Sequence, residues 1–232
     1  MKKVGLIFFI LALAIGVIFA NMFSFEKTTA RFFNFSINSS VSGSGNVISE
    51  KRDVVDFQGI EVGGVFQVEV IAQKDFSVEV EADDNLLPLI KTEVSGGILR
   101  LGTEEGINTK NTIRVRISAP NIENLEVSGV SKVSLANLSN ENLQIDSSGA
   151  SKITVAGETE NLTIDVSGAS KIDAENLKTE NASIDASGAS KVSVFAVNEL
   201  KTDASGASSI IYSGSPKNLT KKTSGASSIK EK

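Results

Sequence analysis

The tetrapeptide Ser-Gly-(Ala/Val)-Ser recurs six times, at Ser128–Ser131, Ser148–Ser151, Ser167–Ser170, Ser187–Ser190, Ser205–Ser208 and Ser224–Ser227. Its glycines, Gly129, Gly149, Gly168, Gly188, Gly206 and Gly225, are separated by 20, 19, 20, 18 and 19 residues. A unit this short cannot bury an apolar face by itself. A fixed period near twenty residues with apolar positions in phase therefore specifies stacked copies, that is, a solenoid.

The full unit reads Asn-Leu-x-Ile-Asp-x-Ser-Gly-Ala-Ser-Lys-Val/Ile, followed by a variable return, as in Asn142–Ile153, Asn161–Ile172 and Asn181–Val192. Apolar residues two apart share one side of an extended strand. Leu143/Ile145 and Leu162/Ile164 are thus predicted to face inward, as are Val133/Leu135, Ile153/Val155 and Val192/Val194 beyond the turn. Each unit becomes two short strands joined by a corner, where glycine supplies a positive φ and the flanking serines bond the backbone. Rungs stacked about 4.8 Å apart place identical residues in columns. The expected fold is an all-β, right-handed parallel β-helix, the handedness following from crossover connections between parallel strands.

Upstream of Pro120 the unit is degenerate. Ile60-Glu-Val-Gly-Gly-Val-Phe-Gln-Val68 aligns with Leu125-Glu-Val-Ser-Gly-Val-Ser-Lys-Val133, and Glu93-Val-Ser-Gly96 with Glu126-Val-Ser-Gly129. This predicts wider rungs over 46–120, including a hairpin of Phe66–Ile71 with Phe76–Val80 through a turn at Lys74-Asp75. Ile113-Arg-Val-Arg-Ile117 reads as a further strand with its arginines outward. These wide rungs should cap one end, and Lys217, Lys221, Lys222, Lys230 and Lys232 should protect the other edge from pairing.

The chain has no cysteine, histidine or tryptophan, so disulfides, thiolate chemistry, histidine-based metal sites and the commonest general base are excluded. The net charge of −5 is uneven: residues 53–198 carry eleven basic and twenty-three acidic side chains, between two mildly basic ends. Such a surface repels phosphate backbones, which argues against nucleic acid as a partner. Lys2 and Lys3 precede Val4–Ala20, seventeen residues without a charge. This predicts an N-terminal hydrophobic helix within 1–23, a signal peptide or an uncleaved membrane anchor with the remainder exported, the anchor being favoured. Residues 24–45, rich in Ser, Asn, Phe and Gly, read as a spacer, and 46–232 as the solenoid, with the regular repeats over 121–232.

Gly43-Ser-Gly-Asn-Val47, Phe57-Gln-Gly-Ile-Glu-Val62, Asp84-Asn-Leu-Leu87, the junction from Pro120 to Val127 and the iterated Ser-Gly-Ala-Ser-Lys together resemble the auto-transporter adhesin head domains of the GIN type, over roughly 43–230. That resemblance implies a β-coil domain outside the cell membrane and supplies the word adhesion. The chain differs from auto-transporter adhesins in showing no C-terminal barrel or heptad stalk, so self-secretion and trimerisation are not implied.

Three sets of side chains invite chemistry. The first is the outward column Lys132, Lys152, Lys171 and Lys191 near Asp146, Asp165, Asp185 and Asp203. It reads either as mutually neutralising pairs or as a charged ladder facing a polymer. The second is the adjacent acidic pairs Asp83-Asp84 and Glu104-Glu105, the only such pairs, which a polysaccharide-cleaving reading would require to converge in a cleft. The third is the Asn-x-Ser/Thr sequons at Asn34, Asn38, Asn137, Asn161, Asn181 and Asn218. The leading reading is a non-catalytic, cofactor-free adhesion module at the cell surface, tethered through residues 4–20, with polysaccharide as the ligand class and Lys132, Lys152, Lys171 and Lys191 facing it. The six corner glycines are structural. The alternatives are a passive envelope-structural or stress-sensing ectodomain and, behind it, a carbohydrate-active β-helix enzyme.

Overall fold

The computed structural model describes residues 40–232. Among these residues the chain is all β, a solenoid of about five turns. Ser39–Lys232 is one compact unit whose hydrophobic core is built from its own residues. The predicted N-terminal helix and the sequons at Asn34 and Asn38 lie outside the described residues. Strand Ser40–Ser42 pairs with Gly106–Asn108, so part of the stretch expected to be spacer belongs to the fold.

Each regular unit contributes a strand to two faces. On the first face, Asn124–Gly129 pairs in parallel with 144–149, which pairs with 161–168 and then 181–186, Glu199–Ala204 and Asn218–Thr223. On the second, Lys132–Ala136 is followed by the strands that begin at Lys152, Lys171, Lys191, Ser209 and Ser228. Residues 138–140, 157–159 and 177–179 form a short third side, which the two-strand unit read from the sequence did not include. The inward pairs are as predicted: Leu143, Ile145, Leu162, Ile164, Val133, Leu135, Ile153, Val155, Val192 and Val194 are all buried. Burying such side chains contributes about 1.5–3 kcal/mol each, which is what holds the rungs together.

The wide rungs do not stack in chain order. Gly59–Gly64 lies between Ile98–Thr103 and Asn124–Gly129, so the coil that comes first is sandwiched between two later ones. Gly64 sits beside Gly129, but Gly96 lies in the turn between the antiparallel strands Ile90–Ser95 and Ile98–Thr103 and is not in the glycine column. Nor does the expected hairpin form. Arg114–Ala119 inserts between Gln67–Ala72 and Ser77–Asp83, parallel to the first and antiparallel to the second. Charge explains the insertion. Direct pairing would set glutamate beside glutamate, whereas Arg116 is in register with Glu69 on one side and Glu79 on the other. Arg114 binds Glu81 at 2.5 Å and holds its carboxyl below the ordinary range.

Antiparallel strands close this end: Ile90–Ser95 on the first face and the charged, exposed Val47–Arg52 on the second. At the other end Lys221 stacks on Thr202 at an inward position. Its ammonium lies 4.4 Å over the Tyr212 ring and donates to Tyr212 Oη at 2.8 Å, covering the last apolar layer.

The corner glycines are required twice over. Gly168 has φ +99°, and a Cβ there would lie 2.5 Å from the Gly149 carbonyl oxygen of the rung beneath. The remaining corner glycines meet the preceding glycine in the same way. Gly168→Ala should cost about 2–4 kcal/mol in denaturant unfolding, strain and separation of the rungs adding. Gly45→Ala, at φ +87° with nothing within 4 Å, should cost only about 1 kcal/mol. Equal, small losses would show that the glycines are not in close contact between rungs.

Candidate functional site

The corner between the two faces organises every candidate side chain. In Asp146-Ser-Ser-Gly-Ala-Ser-Lys152 the chain enters along the first face with Asp146 outward, turns at Gly149, and leaves along the second with Lys152 outward. The second serine of the motif turns in: Ser131, Ser151, Ser170, Ser190 and Ser208 are all at least 95% buried, each between 2% and 4% exposed. Their hydroxyls bond within the corner. Ser170 Oγ donates to Gly149 O at 3.3 Å, Ser208 Oγ lies 2.8 Å from Ser205 O, and Ser147, Ser151 and Ser170 form a hydroxyl cluster with separations of 2.9–3.2 Å. These bonds give the buried hydroxyls partners, as buried polar groups require, at carbonyls such as Gly149 O that already accept a rung-to-rung N–H. The sequence pointed to serines bonding the corner but did not separate the buried serine from the outward one.

Turning at every rung splits the charges into two columns of like sign. Glu61, Glu126, Asp146, Asp165, Asp185 and Asp203 stand in register on the first face. Lys132, Lys152, Lys171 and Lys191 stand in register on the second, all exposed. Among the described residues no ion pair joins the columns, and none of the four lysines has a carboxylate within 4.0 Å. Of the two readings of the columns, mutual neutralisation has no ion pair behind it, because the corner points the two side chains away along different faces. Burial raises the pKa of Asp165, and Asp146 and Asp185 on the adjoining rungs push it the same way. The wide rungs contrast with this, since Lys51, Glu79, Arg116 and Glu69 alternate in sign across four neighbouring strands.

Three of the four carboxyls in the acidic pairs, those of Asp83, Asp84 and Glu104, are engaged structurally. Asp83 is buried and accepts from Thr109 Oγ1 and from Asn111 Nδ2 at 2.6 Å. Asp84 accepts from Ser44 Oγ at 2.5 Å and Asn46 Nδ2 at 2.9 Å. Together they clasp the entering segment to the 109–111 loop. Hydrogen bonds hold both carboxyls below the usual range, Asp83 chiefly through Thr109 and then Asn111, Asp84 chiefly through Ser44 and then Asn46. Glu104 pairs with Lys91 at 3.1 Å. No group of three or more acidic side chains is arranged to hold a metal ion among the described residues.

The asparagines of the repeat form an amide ladder. Asn161 Nδ2 donates to Asn142 Oδ1 at 3.2 Å, Asn181 to Asn161 at 3.1 Å and Asn198 to Asn181 at 2.8 Å. Asn161 and Asn181 thus use their side-chain nitrogens within the stack, and a glycan on either would break the ladder. Asn137 occupies a corner with φ +60°. Among the described residues no helix is long and apolar enough to cross a membrane, and the apolar run 4–20 lies outside them.

The sequence profile of the family described as "Putative auto-transporter adhesin, head GIN domain" matches residues 56–216. The crystal structure of a "putative adhesin" from Bacteroides fragilis shares the fold with a TM-score of 0.67 at 20% identity, over 83% of this chain and 100% of that one. A "putative adhesin" from Parabacteroides merdae aligns with a TM-score of 0.47 at 17% identity, over 84% and 100% of the two chains. A comparison with curated proteins gives no match.

The clasp and Asp165 titrate with opposite sign. Asp83 and Asp84 have folded pKa values below their unfolded ones, so their stabilisation is present above about pH 4 and fades as the pH falls through the lower folded values. Asp165 has a raised pKa, so its protonation favours folding at acid pH, and that contribution is lost as the pH rises through the raised value. On acidification to about pH 3, hydrogen exchange should show Ser40–Ser42 losing protection while residues 142–186 keep theirs. Simultaneous loss in both segments would contradict the assignment. Asp165→Asn should stabilise the protein at pH 7 by a few tenths to about 1 kcal/mol after solvent screening, read as a raised denaturation midpoint.

Proposed function

The chain belongs to the auto-transporter adhesin head GIN domain family, and on that premise we propose that it is a non-catalytic adhesion module displayed outside the cell membrane. The apolar run 4–20 would tether it. Its binding element is the column Lys132, Lys152, Lys171 and Lys191, and its ligand an anionic linear polymer, with acidic polysaccharide the class that best suits a row of exposed ammonium groups. The observation that carries this reading is the absence of intramolecular partners. Four lysines at rung spacing repel one another, and a column built for stability alone would alternate in sign, as the wide rungs do. Long, flexible side chains at a pitch of about 4.8 Å can follow the charges of a polymer without a preformed pocket. The clasped Asp83-Asp84 pair and the paired Glu104 support a reading without carboxylate catalysis, since each carboxyl is already engaged in holding the fold.

The reading is tested by retention on immobilised polygalacturonate compared with neutral dextran. Binding should be selective for the polyanion and fall steeply with salt. Replacing Lys152, Lys171 and Lys191 together by Gln should reduce retention about ten-fold or more without lowering the denaturation midpoint, because the substitutions break no ion pair and relieve like-charge repulsion along the stack. Retention that survives the triple substitution would remove the column from the function.

A further inference from the structure

A groove of 750 Å³ lies at the wide-rung end of the lysine column, between the corners Gly64–Gln67 and Val130–Lys132 and the 103–113 loop. Its apolar wall departs from the repeat. At the position after each corner glycine the regular rungs carry Ala150, Ala169, Ala189, Ala207 and Ala226, but of the three corners lining the groove the first two carry Val65 and Val130 and only the third carries Ala150. These valines are 70% and 58% exposed, the most exposed large apolar side chains among the described residues. They are neighbours, because Gly64 pairs with Gly129 and the Val130 N–H donates to Gly64 O at 2.9 Å. Neither contributes to the core, so core packing does not explain the larger residue at these two rungs. Phe66, Ile107 and Ile113 complete the apolar lining.

The opposite wall is fixed in place. Thr109 and Asn111 both bond the buried Asp83 carboxylate, and the Gln67 N–H donates to Ile113 O at 2.9 Å. Lys132 and Lys152 stand at the rim with no carboxylate within 4.0 Å, on adjoining rungs and therefore about 4.8 Å apart at the backbone. An apolar recess of this volume is in the range of small-molecule sites, and its two ammonium groups select the charge of what enters.

We propose that this groove binds an alkyl chain ending in a compact oxyanion, the chain lying on Val65 and Val130 and the headgroup straddled by Lys132 and Lys152. The site goes beyond the polymer reading and shares only those two lysines with it. Its apolar wall makes it separable, because a polymer held by charge alone has no need of the valines.

The test uses the Ser39–Lys232 unit, which has a self-contained core and needs no detergent that would compete. The probe is 11-(dansylamino)undecanoic acid, used below its micellar concentration; the absence of tryptophan leaves the dansyl signal uncluttered. Saturable enhancement is expected, with displacement by dodecanoate or dodecyl phosphate and at least about ten-fold weaker displacement by dodecanol. The stronger anion identifies the headgroup as carboxylate or phosphate. Val65→Asn and Val130→Asn, polar but uncharged changes at exposed positions, should each weaken probe binding several-fold while leaving the thermal midpoint and polygalacturonate retention unchanged. Lys171→Gln with Lys191→Gln should do the reverse. No saturable enhancement, or enhancement insensitive to both asparagine substitutions, overturns the site. Equal displacement by dodecanol overturns the role of the lysines.

Discussion

In-register parallel hydrogen bonding between rungs is the constraint on which the rest of the structure depends. Once Gly129, Gly149 and Gly168 pair with one another, the residues of the two main faces are stacked on their own copies, the register slipping only at the bulges after Leu135 and Thr154. The backbones approach so closely at the corner that only glycine fits there. Each residue type in the repeat is then selected as a column: aliphatics inward, serine hydroxyls returning to the bent backbone, asparagine amides bonding along the stack. A substitution at one rung is felt by two others, which ties neighbouring repeats together energetically.

That same constraint makes charge expensive. Stacking copies brings Asp onto Asp and Lys onto Lys, and the unit resolves none of this by cross-pairing, because the corner sends the two columns to different faces. The wide rungs face the same problem and solve it differently, slotting Arg114–Ala119 between two glutamate-bearing strands. The molecule thus has an end where stacked charges alternate in sign and a body whose Asp and Lys columns are not matched with each other, although Glu158 and Lys178 pair across rungs on the third side. The proposed binding functions occupy the unmatched body and the groove where the two regimes meet.

Most of the architecture was legible because it repeats. The inward aliphatic pairs, the glycine corners and the columns follow from the spacing of Ser-Gly-Ala-Ser and from alternation alone. What was not legible depends on non-local pairing. Gly96 has the same local sequence as Gly129 but lies in an antiparallel turn, and the strands on either side of Lys74-Asp75 look like a hairpin until Arg114 and Arg116 are seen to separate them. The choice between the two readings of Asp146 and Lys152 was not legible, because the residues are only six apart in sequence while the corner between them sends each to a different face. The clasp at Asp83 joins residues from three distant stretches, and no local signal marks it. The groove was foreshadowed only by Val130 standing where the other five repeats have alanine.

The central claim, that the repeats stack in register and set like-charged residues in exposed columns, is tested most directly by distance. The chain has no cysteine, so nitroxide labels can be attached in pairs on otherwise native protein. Labels replacing Lys152 and Lys171 should show dipolar broadening consistent with one rung, and labels replacing Lys132 and Lys191 with three rungs, about 14 Å at the backbone. Separations that grow with the number of rungs are the predicted result. Separations that do not scale with rung number would contradict the stacked register and every column argued from it.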